Sequence, residues 1–183
     1  HLDYYGTEEN IYRAFKQFLG NLVEGGKAIL CVDNAKVKAL AQEIDKEVIT
    51  YGLEAADYVA KDICYGVDGT TYKLYHKDEF VTEVRLIVPG RHNVLNSVGA
   101  FVAAREMGIA DETILKALEQ FGGAKRRFET KGKVNGVWVV DDYAHHPTEI
   151  EVTLKAARQT QPKRLLCLFQ PHRYTRTQLL FKE

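Results

Sequence analysis

The sequence predicts an α/β fold: a mostly parallel sheet with helices, a small antiparallel three-stranded meander, and then an incomplete Rossmann-like second domain. Three observations carry this. Short apolar runs at 28–32 and 48–51 flank a segment of helical period. Alternating runs at 57–65, 70–76 and 80–88 are separated by turn residues. A new strand, helix and strand pattern begins after Gly123, which places a domain boundary near 122–126 and divides the chain into 1–123 and 124–183.

The elements follow in order. Thr7-Glu8-Glu9 has the form of a helix start, with a hydroxyl at the N-cap and acids against the positive end of the dipole. Ile11, Phe15, Phe18, Leu19 and Leu22 keep helical spacing, and Gly25-Gly26 stops the helix. The continuous apolar run at 28–32 suits a strand covered on both faces. Asp33 or Asn34 can cap the next helix, which runs to about Ile44, and Val48-Ile49-Thr50-Tyr51 reads as the next strand. Turns at 66–69 and 77–79 divide the meander, and Pro89-Gly90 ends it. Helices are predicted from about 93 to 107 and from Asp111 to about Phe121. Asn135-Gly136 signals a hairpin leading into a strand at 137–140, and Pro147 suits the first turn of a helix running to about Gln159. The run 164–169 reads as another buried strand, followed by a polar segment.

Composition removes some classes of function. The 25 basic and 25 acidic side chains balance, so there is no basic excess of the kind a nucleic-acid or anionic-membrane surface needs. No apolar run approaches a membrane span and no signal peptide opens the chain, so no membrane insertion and a cytoplasmic location are expected. A first residue of His rather than Met is expected to be a cut or processed end. Cys31, Cys64 and Cys167 are far apart and form no CxxC, which argues against a zinc site or redox dithiol; three buried free thiols are expected.

Four segments carry groups suited to chemistry. In Pro89-Gly90-Arg91-His92-Asn93-Val94-Leu95-Asn96, Asn93 and Asn96 stand one turn apart, so their amides can share a helix face. Amides pair with a purine edge, and they also cap helices; the spacing admits both. Lys125-Arg126-Arg127 lies at the boundary, where guanidinium can clamp phosphate or simply be solvated. In Asp141-Asp142-Tyr143-Ala144-His145-His146-Pro147, polar residues follow a strand end, the usual place for ligands on an open α/β sheet. A carboxylate there can accept from ribose, and imidazoles can orient or deprotonate an amine. An Asp N-cap ahead of Pro147 accounts for the Asp and the Pro but not for two adjacent His. His172, Arg173 and Arg176 cluster after the next expected strand, suited to a carboxylate or a phosphate.

Taken in order, these strings resemble the Mur ligase family, and Phe169-Gln170-Pro171-His172-Arg173-Tyr174-Thr175-Arg176-Thr177 is similar to its alanine-adding branch. The resemblance implies ATP-dependent joining of L-alanine to UDP-N-acetylmuramate through an acyl phosphate in peptidoglycan synthesis, with Mg²⁺. It implies that His1 ligates the metal, that His92, Asn93 and Asn96 hold adenine, and that Arg127 reaches the phosphates as the domains close. Asp142 would take the ribose hydroxyls, and His145, His172, Arg173 and Arg176 would line the site for alanine and the muramoyl carboxylate, with His146 beside them. Some relatives carry a carbamylated Lys; Lys16 is placed for it but has the setting of an ordinary exposed Lys. The family's glycine-rich Gly-Lys-Thr phosphate loop does not occur in this sequence, so residues 1–183 alone are expected to turn over no ATP. Two alternatives stay open: a recycling ligase that attaches a murein tripeptide, and a non-catalytic nucleotide-binding module.

Overall fold

A computed structural model describes residues 2–66 and 69–182. Helix α1 spans Leu2–Tyr5 and α2 spans Glu8–Gly20. The hydroxyl of Thr7 accepts from the main-chain N–H of Asn10 at 3.2 Å, so this cap forms as its sequence predicts. Strand β1 (Lys27–Cys31) leads to α3 (Ala35–Glu43), and the Asn34 side chain accepts from Lys36 and Val37 at its start. Strand β2 (Glu47–Gly52) then pairs parallel with β1, from Lys27 opposite Glu47 to Cys31 opposite Tyr51. The crossover through α3 permits this arrangement.

The meander is not a separate layer. Strands β3 (Tyr58–Gly66), β4 (Gly69–His76) and β5 (Glu79–Leu86) are antiparallel to one another. They join β1 and β2 in one five-stranded sheet of order β1-β2-β3-β4-β5. The seam is short, with Tyr51 opposite Tyr58 and Gly52 opposite Val59 in parallel register. Asp57 secures the link between them. One of its carboxylate oxygens accepts from both the main-chain N–H and the hydroxyl of Thr50, at 2.8 and 2.7 Å. The predicted turn at 66–69 includes Val67 and Asp68, which lie outside the described residues.

Helix α4 (Arg91–Glu106) packs on this sheet. Val94, Val98, Phe101 and Val102 are fully buried, and their i, i+4, i+7, i+8 spacing makes one stripe. They meet Tyr72, Leu74, Val84 and Leu86 from β4 and β5. Inside this layer the Tyr72 hydroxyl and Ser97 Oγ lie 2.8 Å apart, so a buried polar pair is satisfied. Burial pushes the Tyr72 phenol well above its ordinary range. With that stripe on the sheet, Asn93, Asn96, Ala100 and Ala104 turn toward α5 (Asp111–Gln120).

Hairpin β6 (Glu129–Val134) and β7 (Val137–Asp141) turns at Asn135-Gly136, whose φ values of 51° and 78° are those of the expected tight turn. Helix α6 (Pro147–Gln159) follows, and Ala156 on it is 1% exposed. A Cβ built on Gly90 would come within 3.0 Å of the Ala156 methyl, so α6 abuts the start of α4.

Two expectations need correction. The run 164–169 forms no strand: a strand of that type needs a paired edge and covered faces, and Leu166 and Leu168 are 75% and 101% exposed. The segment instead leads to a short helix, α7 (Tyr174–Leu180). The three thiols are free, but only Cys31 is partly covered; Cys64 and Cys167 are exposed. Cys64 follows the register shift in β3, and Cys167 lies in the unpaired run. The helical spacing expected around Leu19 holds in α2, where Leu19 is buried and Phe15 and Phe18 are exposed.

Candidate functional site: a cavity between α4, α5 and α6

A cavity of about 830 Å³ lies between α4, α5 and the start of the second half. His92, Asn93, Asn96, Arg127 and Asp142 all line it, so five expected site residues from three separate segments meet at one place. Its far end is apolar, with Ala100, Ala104, Ile109, Ala117 and Phe121. A volume of this size is in the range of small-molecule sites.

The polar groups at the mouth differ in how far they are committed. Asn93 donates its side-chain amide to the Pro89 carbonyl at 2.6 Å, a local helix-start contact. Asn96 makes no side-chain hydrogen bond among the described residues, so both ends of its amide are open to a ligand. His92 is held below its ordinary pKa, chiefly by burial; Asp142 pulls the other way and Arg127 adds to the depression. It therefore faces the cavity as a neutral imidazole at pH 7. Gly90, with φ of 103°, makes room for it: a Cβ there would stand 2.7 Å from His92 Cε1.

The depressed His92 pKa fixes a sign for the pH dependence of stability. As pH falls below about 6.5, the unfolded chain takes up this proton before the folded one, and that difference in protonation lowers stability. Between pH 7 and 5 the thermal midpoint of the wild type is expected to drop more than that of His92→Asn. Equal drops in both proteins would contradict this assignment.

Asp142 is already busy. Its Oδ2 accepts from Phe128 N–H at 2.8 Å and its Oδ1 from Ala144 N–H at 2.7 Å, so it pins Phe128 to the loop after β7. A carboxylate has further acceptor sites, so a ribose hydroxyl can still be taken. The cap of α6 is not an Asp. His146 Nδ1 accepts from Thr148 N–H, and Glu149 accepts from His146 N–H, forming a capping box.

Glu149 belongs to the site although no role is expected of it from sequence. Its side chain lines the cavity, accepts from the N–H groups of His145 and His146, and accepts from Arg127 at 3.3 Å. Burial raises the pKa of this carboxyl, but the two N–H donors and the Arg127 bond outweigh that and hold it below its ordinary value. The signal in the sequence was the Glu three residues after the cap.

His145, His172, Arg173 and Arg176 are not among the residues that line the cavity. His145 and His172 have ring centroids 6.1 Å apart, and Tyr143 lies 4.9 Å from the first and 6.2 Å from the second. His145 Nδ1 is 2.7 Å from the Tyr143 carbonyl oxygen. Arg173 begins α7 at φ of 67° and is exposed; Arg176 is partly buried on the same helix. The structure thus unites Asn96 with Asp142 but does not bring Arg173 to the same wall. His1 lies outside the described residues, and among the described residues no three His, Cys, Asp or Glu gather as a metal site. Lys16 bonds Glu43 at 2.7 Å, an ordinary exposed ion pair. No helix among the described residues is long and apolar enough to cross a membrane.

The profile of the Mur ligase middle domain matches residues 1–104, and that of the Mur ligase, glutamate ligase domain matches 126–183. The UDP-N-acetylmuramate–L-alanine ligase of Desulforamulus reducens is 47% identical over the whole of this chain, which spans 40% of that relative's length. Among solved structures, the UDP-N-acetylmuramate-alanine ligase MurC of Thermotoga maritima superposes with a TM-score of 0.78 at 27% identity, covering 94% of this chain and 39% of that one. MurF ligase of Thermotoga maritima in complex with ADP, at 22% identity, shares the fold with a TM-score of 0.74 over 87% of this chain and 36% of its own. Two family profiles in order, a close relative along the full length and a matching fold lead to one conclusion: this chain belongs to the Mur ligase family.

Proposed function

We propose that this chain carries the purine side, and part of the amino-acid side, of an ATP-dependent ligase joining L-alanine to UDP-N-acetylmuramate in peptidoglycan synthesis. In this reading 1–123 belongs to the ATP-binding domain and 124–183 opens the amino-acid-binding domain. The observation that carries it is the cavity that gathers His92, Asn96, Arg127 and Asp142. The substrates are those named for the relative that is 47% identical, and ADP is bound in a structure of the same fold. A reaction that consumes ATP and a UDP-sugar belongs in the cytoplasm.

The chemistry asks specific things of these side chains. The uncommitted Asn96 amide donates to and accepts from the adenine edge, and neutral His92 accepts beside it. Asp142 takes a ribose hydroxyl, and Arg127 offsets phosphate charge. The muramoyl carboxylate attacks the γ-phosphorus, ADP departs, and an acyl phosphate forms. The alanine amine then attacks the acyl carbon, and the tetrahedral intermediate collapses with loss of phosphate. His145, with His172 near it, orients the amine and takes its proton, while Arg173 and Arg176 hold carboxylate. Closure of the two halves keeps water from the acyl phosphate. Magnesium would offset charge crowding on the phosphates. Its expected ligand is His1, and the described residues supply no metal cluster of their own, so no step here runs through it.

The test is phosphate release by the intact ligase that contains this chain. Release that requires both L-alanine and UDP-N-acetylmuramate supports the proposal. Release with a murein tripeptide in place of alanine would move the assignment to the recycling branch, and no ADP binding by the chain or the intact protein would end it.

A further inference from the structure

Glu149 receives hydrogen bonds from two segments, and its two oxygens divide them. Oε2 accepts from the main-chain N–H groups of His145 and His146, at 3.1 and 3.2 Å. Oε1 accepts from Arg127 Nη1 at 3.3 Å. One oxygen closes the first turn of α6, and the other holds a guanidinium at the wall of the cavity.

The backbone around Arg127 is also tied to the second half. Tyr143 N–H donates to the Arg126 carbonyl at 2.7 Å, and Phe128 N–H donates to Asp142. The Arg126 guanidinium lies 4.6 Å from the centre of the Tyr143 ring. Arg126 and Phe128 have φ of 56° and 50°, left-handed values that non-glycine residues hold only when their surroundings impose them. Residues 126–128 are thus fastened to the loop after β7. Gly122-Gly123, with φ of 91° at Gly123, precedes the fastened stretch and supplies the freedom to turn.

We propose that Glu149 is a positioning residue: it fixes the Arg127 guanidinium to the second half, so that closure delivers this cation to the nucleotide phosphates as part of a rigid unit. The delivery to phosphate rests on the function proposed above; the fixing of Arg127 does not. The Arg127 and Glu149 side chains are 52% and 32% exposed, and such pairs add little to stability. Orientation is what the pair supplies. A flexible arginine must give up side-chain entropy on meeting phosphate, and one already held gives up less.

Glu149→Gln separates the two duties. The amide oxygen can stay at the Oε2 position and keep both main-chain bonds, while its NH₂ faces Arg127, donor to donor. In this chain labelled with ¹⁵N, the Arg127 Nε–H is expected to be ordered in the wild type and mobile in Glu149→Gln, with the His145 and His146 amides still protected and the thermal midpoint little changed. ADP affinity is expected to fall about tenfold while adenosine affinity holds, since only ADP carries the phosphates a charged hydrogen bond serves. Arg127→Ala should cause the same loss, and the double variant no more than either. If Arg127 is equally ordered in both proteins, or if the two losses simply add, the inference is wrong. Arg127→Ala removes the pair from a half-exposed position, so it keeps the test open should Glu149→Gln fold poorly. A wild type that binds no ADP would instead strike the functional proposal, while the ordering of Arg127 still decides the role of Glu149.

Discussion

Phe101→Ala is expected to remove about 3–5 kcal/mol of stability, the cost of truncating a buried aromatic and leaving a cavity behind it. Phe101 is 0% exposed and sits among Val98, Val102, Tyr72 and Leu74, where α4 meets the sheet. A domain of ordinary stability holds about 5–15 kcal/mol in all, so the variant spends a large share of it. In urea the midpoint should fall with little change in slope. A loss below about 1 kcal/mol would mean that this layer packs loosely and does not orient α4. The consequence reaches the site, because the stripe containing Phe101 is what turns Asn96 and Ala100 toward the cavity.

Asn96→Ala is expected to leave stability nearly unchanged and to weaken purine recognition strongly. The side chain is exposed and makes no hydrogen bond among the described residues, so folding loses little. A bound adenine edge would lose an amide that donates and accepts, worth about 1–3 kcal/mol of discrimination between bases. ADP should therefore bind about tenfold more weakly or worse, and the preference for ADP over GDP should shrink by a similar factor. The Asn93 amide is engaged with Pro89, so it does not substitute. Unchanged affinities for both nucleotides would remove adenine from this end of the cavity.

Local features of the fold were legible in the sequence wherever neighbours along the chain decide them. Thr7 and Asn34 cap their helices because a short polar side chain reaches N–H groups two or three residues on. Asn135-Gly136 turns because both residues accept positive φ. The union of the meander with the parallel strands was not legible, since it depends on a two-residue seam and the Asp57 link to Thr50. The run 164–169 has the composition of a buried strand, but pairing is a property of partners and none flanks it among the described residues.

The site divides in the same way. His92, Asn96, Arg127 and Asp142 could be named from their strings, and their common cavity follows from how α4 lies on the sheet. Glu149 closes the same loop string, but a glutamate three residues after a helix cap has a sufficient local duty; its second bond, to Arg127, is a contact across 22 residues. His146, expected beside the ligand-binding imidazoles, also has a local duty, since its Nδ1 caps α6.

Contacts between a bound nucleotide and labelled side chains test the placement of the purine most directly. With ADP added to ¹³C,¹⁵N-labelled protein, the adenine H2 or H8 proton should show nuclear Overhauser effects to the Asn96 amide and the Ala100 methyl. Effects confined to residues outside the groove between α4 and α5, with Asn96 and Ala100 silent, would contradict the account.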